Sequence, residues 1–153
     1  MKRRGYKPAG KVISFERRPV EVSLAKELRR RVSAPVWAVR RLRLINQEPV
    51  MLENFVMPVQ RLPRLERFDL EKRSVYEIVE AEYGVRVSRA RQSLKPTVAT
   101  AYEAEMLQIA QGPPLMLKTR FACDPHEQPV EYGRDLYRGD RFRFTTEIAP
   151  LEL

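Results

Sequence analysis

A chain of 153 residues, 43% hydrophobic and 32% charged, fits one globular domain able to bury a core of its own. No apolar run reaches the ~18 to 20 residues of a membrane span; the basic start "MKRRGYKPAG" lacks the apolar stretch of a signal peptide, and one cysteine with one histidine excludes an internal disulfide and argues against a metal site. The formal charge of +9 rests on only seven lysines among 29 basic residues, and arginine's planar fork suits phosphate and carboxylate, so the excess fits nucleic acid, an anionic small ligand or simply an arginine-rich composition.

Taken in chain order, "GKVISFERR" predicts a first strand and "SLAKELRRR" a short helix with Ser23 as its N-cap. "VWAVRRLRLI" predicts a long strand and "PVMLENFVMP" its return, joined by a three-residue loop "NQE". The proline-broken stretch 59–70 is irregular. "SVYEIVEAEYG" predicts a helix with capping-box spacing from Ser74 to Glu77 and a stop at Gly84. A strand "VRVSRARQSL" follows, then a helix "TAYEAEMLQIA" with the same box spacing from Thr100 to Glu103. Three strands, "PLMLKTRFA", "PVEYGRDLYR" and "RFRFTTEIA", complete the reading. Tight loops between strands make neighbours antiparallel, so the expected class is α+β, an antiparallel sheet with helices packed on one face.

Two places break the core pattern. Alternation puts Trp37, Val39, Arg41, Arg43 and Ile45 on one face of their strand. With a three-residue loop Ile45 pairs with Pro49, Arg43 with Met51 and Arg41 with Glu53, which places a carboxylate opposite an arginine in apolar surroundings. This reads either as a half-buried structural ion pair or as a pocket floor whose spare guanidinium meets an anion. Ser74 is either a plain N-cap or part of an anion site at a helix N-terminus. In "PVEYGRDLYRGDRFRF", Glu131 and Tyr137 share a face around the small Gly133, which is either a solvated edge or a place for a ligand to approach the sheet. Cys123 reads as an inert strand residue and His126 as a loop residue; no catalytic set is assembled.

The order "RRLRLINQEPVMLENFVMP", "SVYEIVEAEYGVRVSRA", "LQIAQGPPLMLKTRFACDPHEQPVEYGRDLYRGDRFRF" resembles the UTRA domain, the effector-binding domain of HutC-type GntR transcriptional regulators. The resemblance spans nearly the whole chain, and the domain is taken as 1–153. It implies a chorismate-lyase-like fold, homodimerisation and a bound small anionic effector, a sugar phosphate or an organic acid. It also implies site roles: Arg41 and Arg43 for the anionic group, helped by Ser74 and Tyr76, with Glu53 on the return strand and Glu131 and Tyr137 at the sugar end. No cofactor, metal or membrane partner is expected, and the single cysteine suits a reducing cytoplasm. DNA would be contacted only through a winged helix-turn-helix domain, which this sequence lacks. A chorismate-lyase-like enzyme and a stand-alone basic nucleic-acid binder are the alternatives; no acid-base pair with an obvious reaction supports the first, and scattered arginines without a recognition helix or an aromatic platform argue against the second.

Overall fold

The computed structural model describes residues 8–149. Its elements are β1 (Pro8–Pro19), α1 (Val22–Ala25), β2 (Pro35–Ile45), β3 (Glu48–Pro58), α2 (Val75–Tyr83), β4 (Arg89–Val98), α3 (Ala101–Leu107), β5 (Pro114–Cys123) and β6 (Pro129–Arg138), with a 3-10 turn at Leu65–Arg67. The strands form one six-stranded antiparallel sheet in the order β1-β2-β3-β6-β5-β4. The α+β class is as expected.

Local chemistry explains most element ends. The β2–β3 connection is the two residues Asn46 and Gln47, both at positive φ (50° and 67°), the mirror-image turn whose twist matches that of its strands. The loop is thus one residue shorter than expected, and Ile45 pairs with Glu48. A register shift beyond Leu44 then restores Arg43 opposite Met51 and Arg41 opposite Glu53. At α3 the Thr100–Glu103 capping box forms in both directions. At α2 the expected box does not: Ser74 occupies the N-cap position, but its side chain makes no cap hydrogen bond. Gly84 ends α2 in the left-handed conformation, at φ 64°. The helix expected from Ser23 is a single turn capped at Glu21, followed by the fully buried Leu28.

The core divides between the two sheet faces. On one, Val75, Ile78 and Val79 of α2 pack on Trp37, Val39, Phe55 and Met57. On the other, Ala104 and Leu107 of α3 pack on Leu42, Leu52, Leu115 and Leu136, while Ala25 and Leu28 meet Ala38 and Val56. The helices therefore flank both faces and not one. Residues 85–88, expected to open a strand, precede β4, with Val85 and Val87 packed against the α2-side core instead.

The strand expected at 141–149 is absent. Strand β6 is interior, hydrogen-bonded to β3 on one side and β5 on the other, so the chain that follows cannot turn back and pair with it as a hairpin. It leaves the sheet at Gly139, where a Cβ would stand 2.7 Å from the Pro114 carbonyl oxygen. Phe142 and Phe144 instead set their rings edge-on to Tyr137, with centroids at 4.9 and 5.1 Å.

Candidate functional site

Register places the singled-out residues in rows. Arg41 on β2 pairs with Glu53 on β3, which pairs with Asp135 on β6. One row along, Arg43 pairs with Met51, and Met51 with Tyr137. Alternation then puts Glu131, Gly133, Asp135 and Tyr137 on the same face as Arg41 and Arg43. This is the face that α2 covers. Arg41, Glu53, Glu131 and Tyr137 are buried, Arg43 and Tyr76 half-buried, and Ser74 exposed.

Contacts join these side chains into two groups. In the first, Arg41 donates through Nη2 to Glu53 at 2.9 Å and through Nη1 to the Leu70 carbonyl at 2.9 Å. Arg43 approaches the other Glu53 oxygen at 3.4 Å. One carboxylate thus serves two guanidiniums. Burial lowers the Arg43 pKa and Arg41 beside it does the same, while Glu53 opposes them. In the second group Arg120 donates to Glu131 through Nε at 2.9 Å and Nη2 at 2.5 Å. Tyr76 donates its hydroxyl to the same oxygen at 3.3 Å and lays its ring 5.4 Å from the Arg120 guanidinium. Burial and the Glu131 carboxylate raise the Tyr76 pKa, so the phenol stays protonated and donates. Burial also raises the Glu131 carboxyl, against the pull of Arg120.

Tyr137 stands apart from both groups, packed with Val50, Met51, Met116 and Phe142, with the Lys118 ammonium 5.1 Å from its ring centroid. Ser74 lies at the start of α2, two residues before Tyr76. Three further residues of this face escaped sequence reasoning: Asp135, Lys118 and Arg120. Asp135 had the parity of Glu131 and Tyr137. Lys118 and Arg120 needed the β5–β6 register, Lys118 opposite Asp135 and Arg120 opposite Gly133.

The other face carries an open groove of about 420 Å³, lined among others by Arg18, Arg40, Asn54, Tyr102, Glu103 and Arg134. Two of its three arginines face carboxylates, and the third faces a neutral amide and a ring. Arg40 donates to Asn54 at 2.7 Å and lies 5.0 Å from the Tyr102 ring centroid; Arg134 approaches Glu103 at 4.0 Å, and Arg18 approaches Glu16 at 3.6 Å. The α2 face, with two arginines sharing one acid, is the better candidate for an anion.

Charged side chains gathered on a sheltered sheet face suit the binding of a small polar molecule. The comparisons specify the class. The UTRA domain family matches residues 3–143, and the chain belongs to that family. It is 30% identical over 144 residues to the transcriptional repressor NagR of Bacillus subtilis, covering 94% of this chain and 59% of that protein. It is 28% identical over 134 residues to the mannosyl-D-glycerate transport/metabolism system repressor MngR of Escherichia coli, covering 88% of this chain and 55% of that one. The crystal structure of the effector domain of PhnF from Mycobacterium smegmatis superposes with a TM-score of 0.88 at 29% identity, covering 94% of this chain and 88% of that one. The chain spans a little more than half of the NagR and MngR repressors. It is a UTRA domain of the GntR-family type, with a regulatory, effector-binding role and not an enzymatic one. Among the described residues no helix is long and apolar enough to cross a membrane.

Proposed function

We propose that this domain senses a small anionic effector, a sugar phosphate or an organic acid, on the α2 face of the sheet. It does so as the dimerising part of a cytoplasmic transcriptional regulator whose DNA-binding winged-helix domain lies outside this sequence. Arg41 and Arg43 take the anionic group with help from Ser74 and Tyr76; Glu53 orients the arginines, and Glu131 and Tyr137 hold the other end. The observation that carries this reading is the single Glu53 carboxylate between two guanidiniums, which leaves one positive charge on a sheltered face for a ligand to neutralise. A relative named for mannosyl-D-glycerate metabolism supports a carbohydrate acid among the candidates. An effector that binds one arrangement of the dimer better than another shifts their populations, and through linkage the affinity of the attached domain for its operator.

The test begins with a thermal-shift screen of sugar phosphates and organic acids, since a ligand at ~100 times its Kd adds roughly 2.7 kcal/mol of stability. The hit is then titrated into Arg43→Ala and Arg89→Ala. Arg89 is exposed and pairs with the exposed Glu127 at 2.8 Å, so it is a charge-matched control away from the site. Charge-assisted bonds in a sheltered site are worth ~1.5 to 3 kcal/mol, so Arg43→Ala is expected to weaken binding roughly ten- to a hundred-fold, with Arg89→Ala near wild type. Equal small losses in both would show that only the general basic field matters and would overturn the reading.

A further inference from the structure

Asp135 lies in the middle of β6, 4% exposed, between Glu53 of β3 and Lys118 of β5 in the sheet register. The other two acids on this face have hydrogen-bond donors: Glu53 has Arg41, and Glu131 has Arg120 and Tyr76. Asp135 has none. Its Oδ1 is buried without a hydrogen-bond partner, and its Oδ2 comes no nearer than 3.8 Å to Arg120 Nη1, an ion-pair distance too long for a hydrogen bond. A buried, unpaired carboxylate oxygen is costly and uncommon.

A second unpaired atom stands in the same row. Arg41 Nε is also buried without a partner, on β2, with Glu53 paired between it and Asp135. An orphan donor and an orphan acceptor therefore lie two strands apart, about 10 Å between Cα atoms from ordinary strand spacing. Lys118, opposite Asp135 in this row, and Arg43, one row along, are half-buried, as is Tyr76 of α2.

We infer that Asp135 selects the effector's polar end: it accepts a hydrogen bond from a donor, an ammonium or a hydroxyl, on the same molecule whose anion meets Arg41 and Arg43. The effector is then bifunctional, a donor-bearing anion and not a bare acid. This rests on the effector-binding reading above. Charge supports it, because burial first, then Glu53, and also Glu131, raise the Asp135 carboxyl to about 7, against Arg120 and Lys118.

The experiment uses three probes with one anion and one chain: ω-aminobutyl phosphate, ω-hydroxybutyl phosphate and butyl phosphate. Each is titrated calorimetrically into wild type, Asp135→Ala and Asp135→Asn. Wild type is expected to bind at least one donor-tipped probe about ten-fold more tightly than butyl phosphate. In Asp135→Ala that advantage disappears, while butyl phosphate binding holds to within about two-fold. Asp135→Asn keeps an acceptor but no charge, so retention of the hydroxyl advantage marks a hydroxyl donor and loss of the amine advantage marks an ammonium. Equal binding of all three probes by wild type, or equal weakening of all three in Asp135→Ala, overturns the inference and leaves the anion site standing. No binding of any probe by wild type overturns the anion site and the inference together.

Discussion

Replacing Asp135 with asparagine is expected to change stability by an amount that depends on pH. The folded-state carboxyl sits at about 7, against ~3.9 for an aspartate in an unfolded chain. A folded pKa above the unfolded one means that the folded state holds its proton longer. Below about pH 4 both states are protonated and the buried group costs little. As pH rises from about 4 to 7 the unfolded chain gains by ionising while the folded chain cannot, and wild-type stability falls. Above pH 7 the full difference of about three pKa units is felt, roughly 4 kcal/mol. Asparagine removes that dependence, but its amide brings an unpaired N–H group of its own, which takes back about 1 to 2 kcal/mol. The variant is therefore expected to match or slightly trail wild type at pH 4, and to exceed it by about 2 to 3 kcal/mol at pH 8. Urea unfolding followed through the fluorescence of Trp37, the only tryptophan and 6% exposed in the α2-side core, measures this at half-unit steps. A gap that stays constant with pH, or closes as pH rises, would refute the account of Asp135 as an unpaired buried acid.

Arg120→Ala leaves Glu131 buried at 2% exposure without its main partner, and is expected to destabilise the domain by about 3 to 5 kcal/mol in urea unfolding. Adding Glu131→Gln should recover a large part of that loss, and a double variant no more stable than the single one would show that the pair is not coupled. Among the described residues strand β4 is bonded only to β5, and it exposes Leu94 at 48% and Val98 at 58%, so a homodimer is expected to use this edge. Light scattering should give a dimer mass for wild type and a monomer mass for the Leu94→Asp, Val98→Asp variant; a monomeric wild type at tens of micromolar would refute it.

The candidate site was legible in part because strand parity is a local property. Two arginines and a glutamate on faces that otherwise read as core could be placed together from one hairpin alone. The one-residue error in the loop did no harm, because the register shift beyond Leu44 absorbs it before Arg43. What escaped notice depends on strands that are not neighbours in sequence. The β3–β6 pairing brings Asp135 beside Glu53, and the β5–β6 register brings Arg120 beside Gly133 and against Glu131. No window of sequence contains either contact. Capping boxes illustrate the same limit from the other side: identical spacing at Ser74–Glu77 and Thr100–Glu103 forms a box only at Thr100, because spacing permits the reciprocal bonds without compelling them.

The misplaced final strand and the divided helices share one cause. Hydrophobic alternation in "RFRFTTEIA" satisfies a strand pattern, yet a strand needs a partner edge as well as a pattern. Once β6 inserts between β3 and β5, both of its edges are occupied, and the aromatic residues that follow find their apolar contact on Tyr137. The same insertion joins the β1–β3 and β4–β5 halves into one continuous sheet with two apolar faces, and each face needs its own cover. The face that α2 covers also carries a row of buried charged side chains, Arg41, Glu53 and Asp135. Charges enclosed in this way contribute little to stability compared with an apolar row of the same shape. A ligand of the kind proposed above would bring the charge and hydrogen bonds that complete the set.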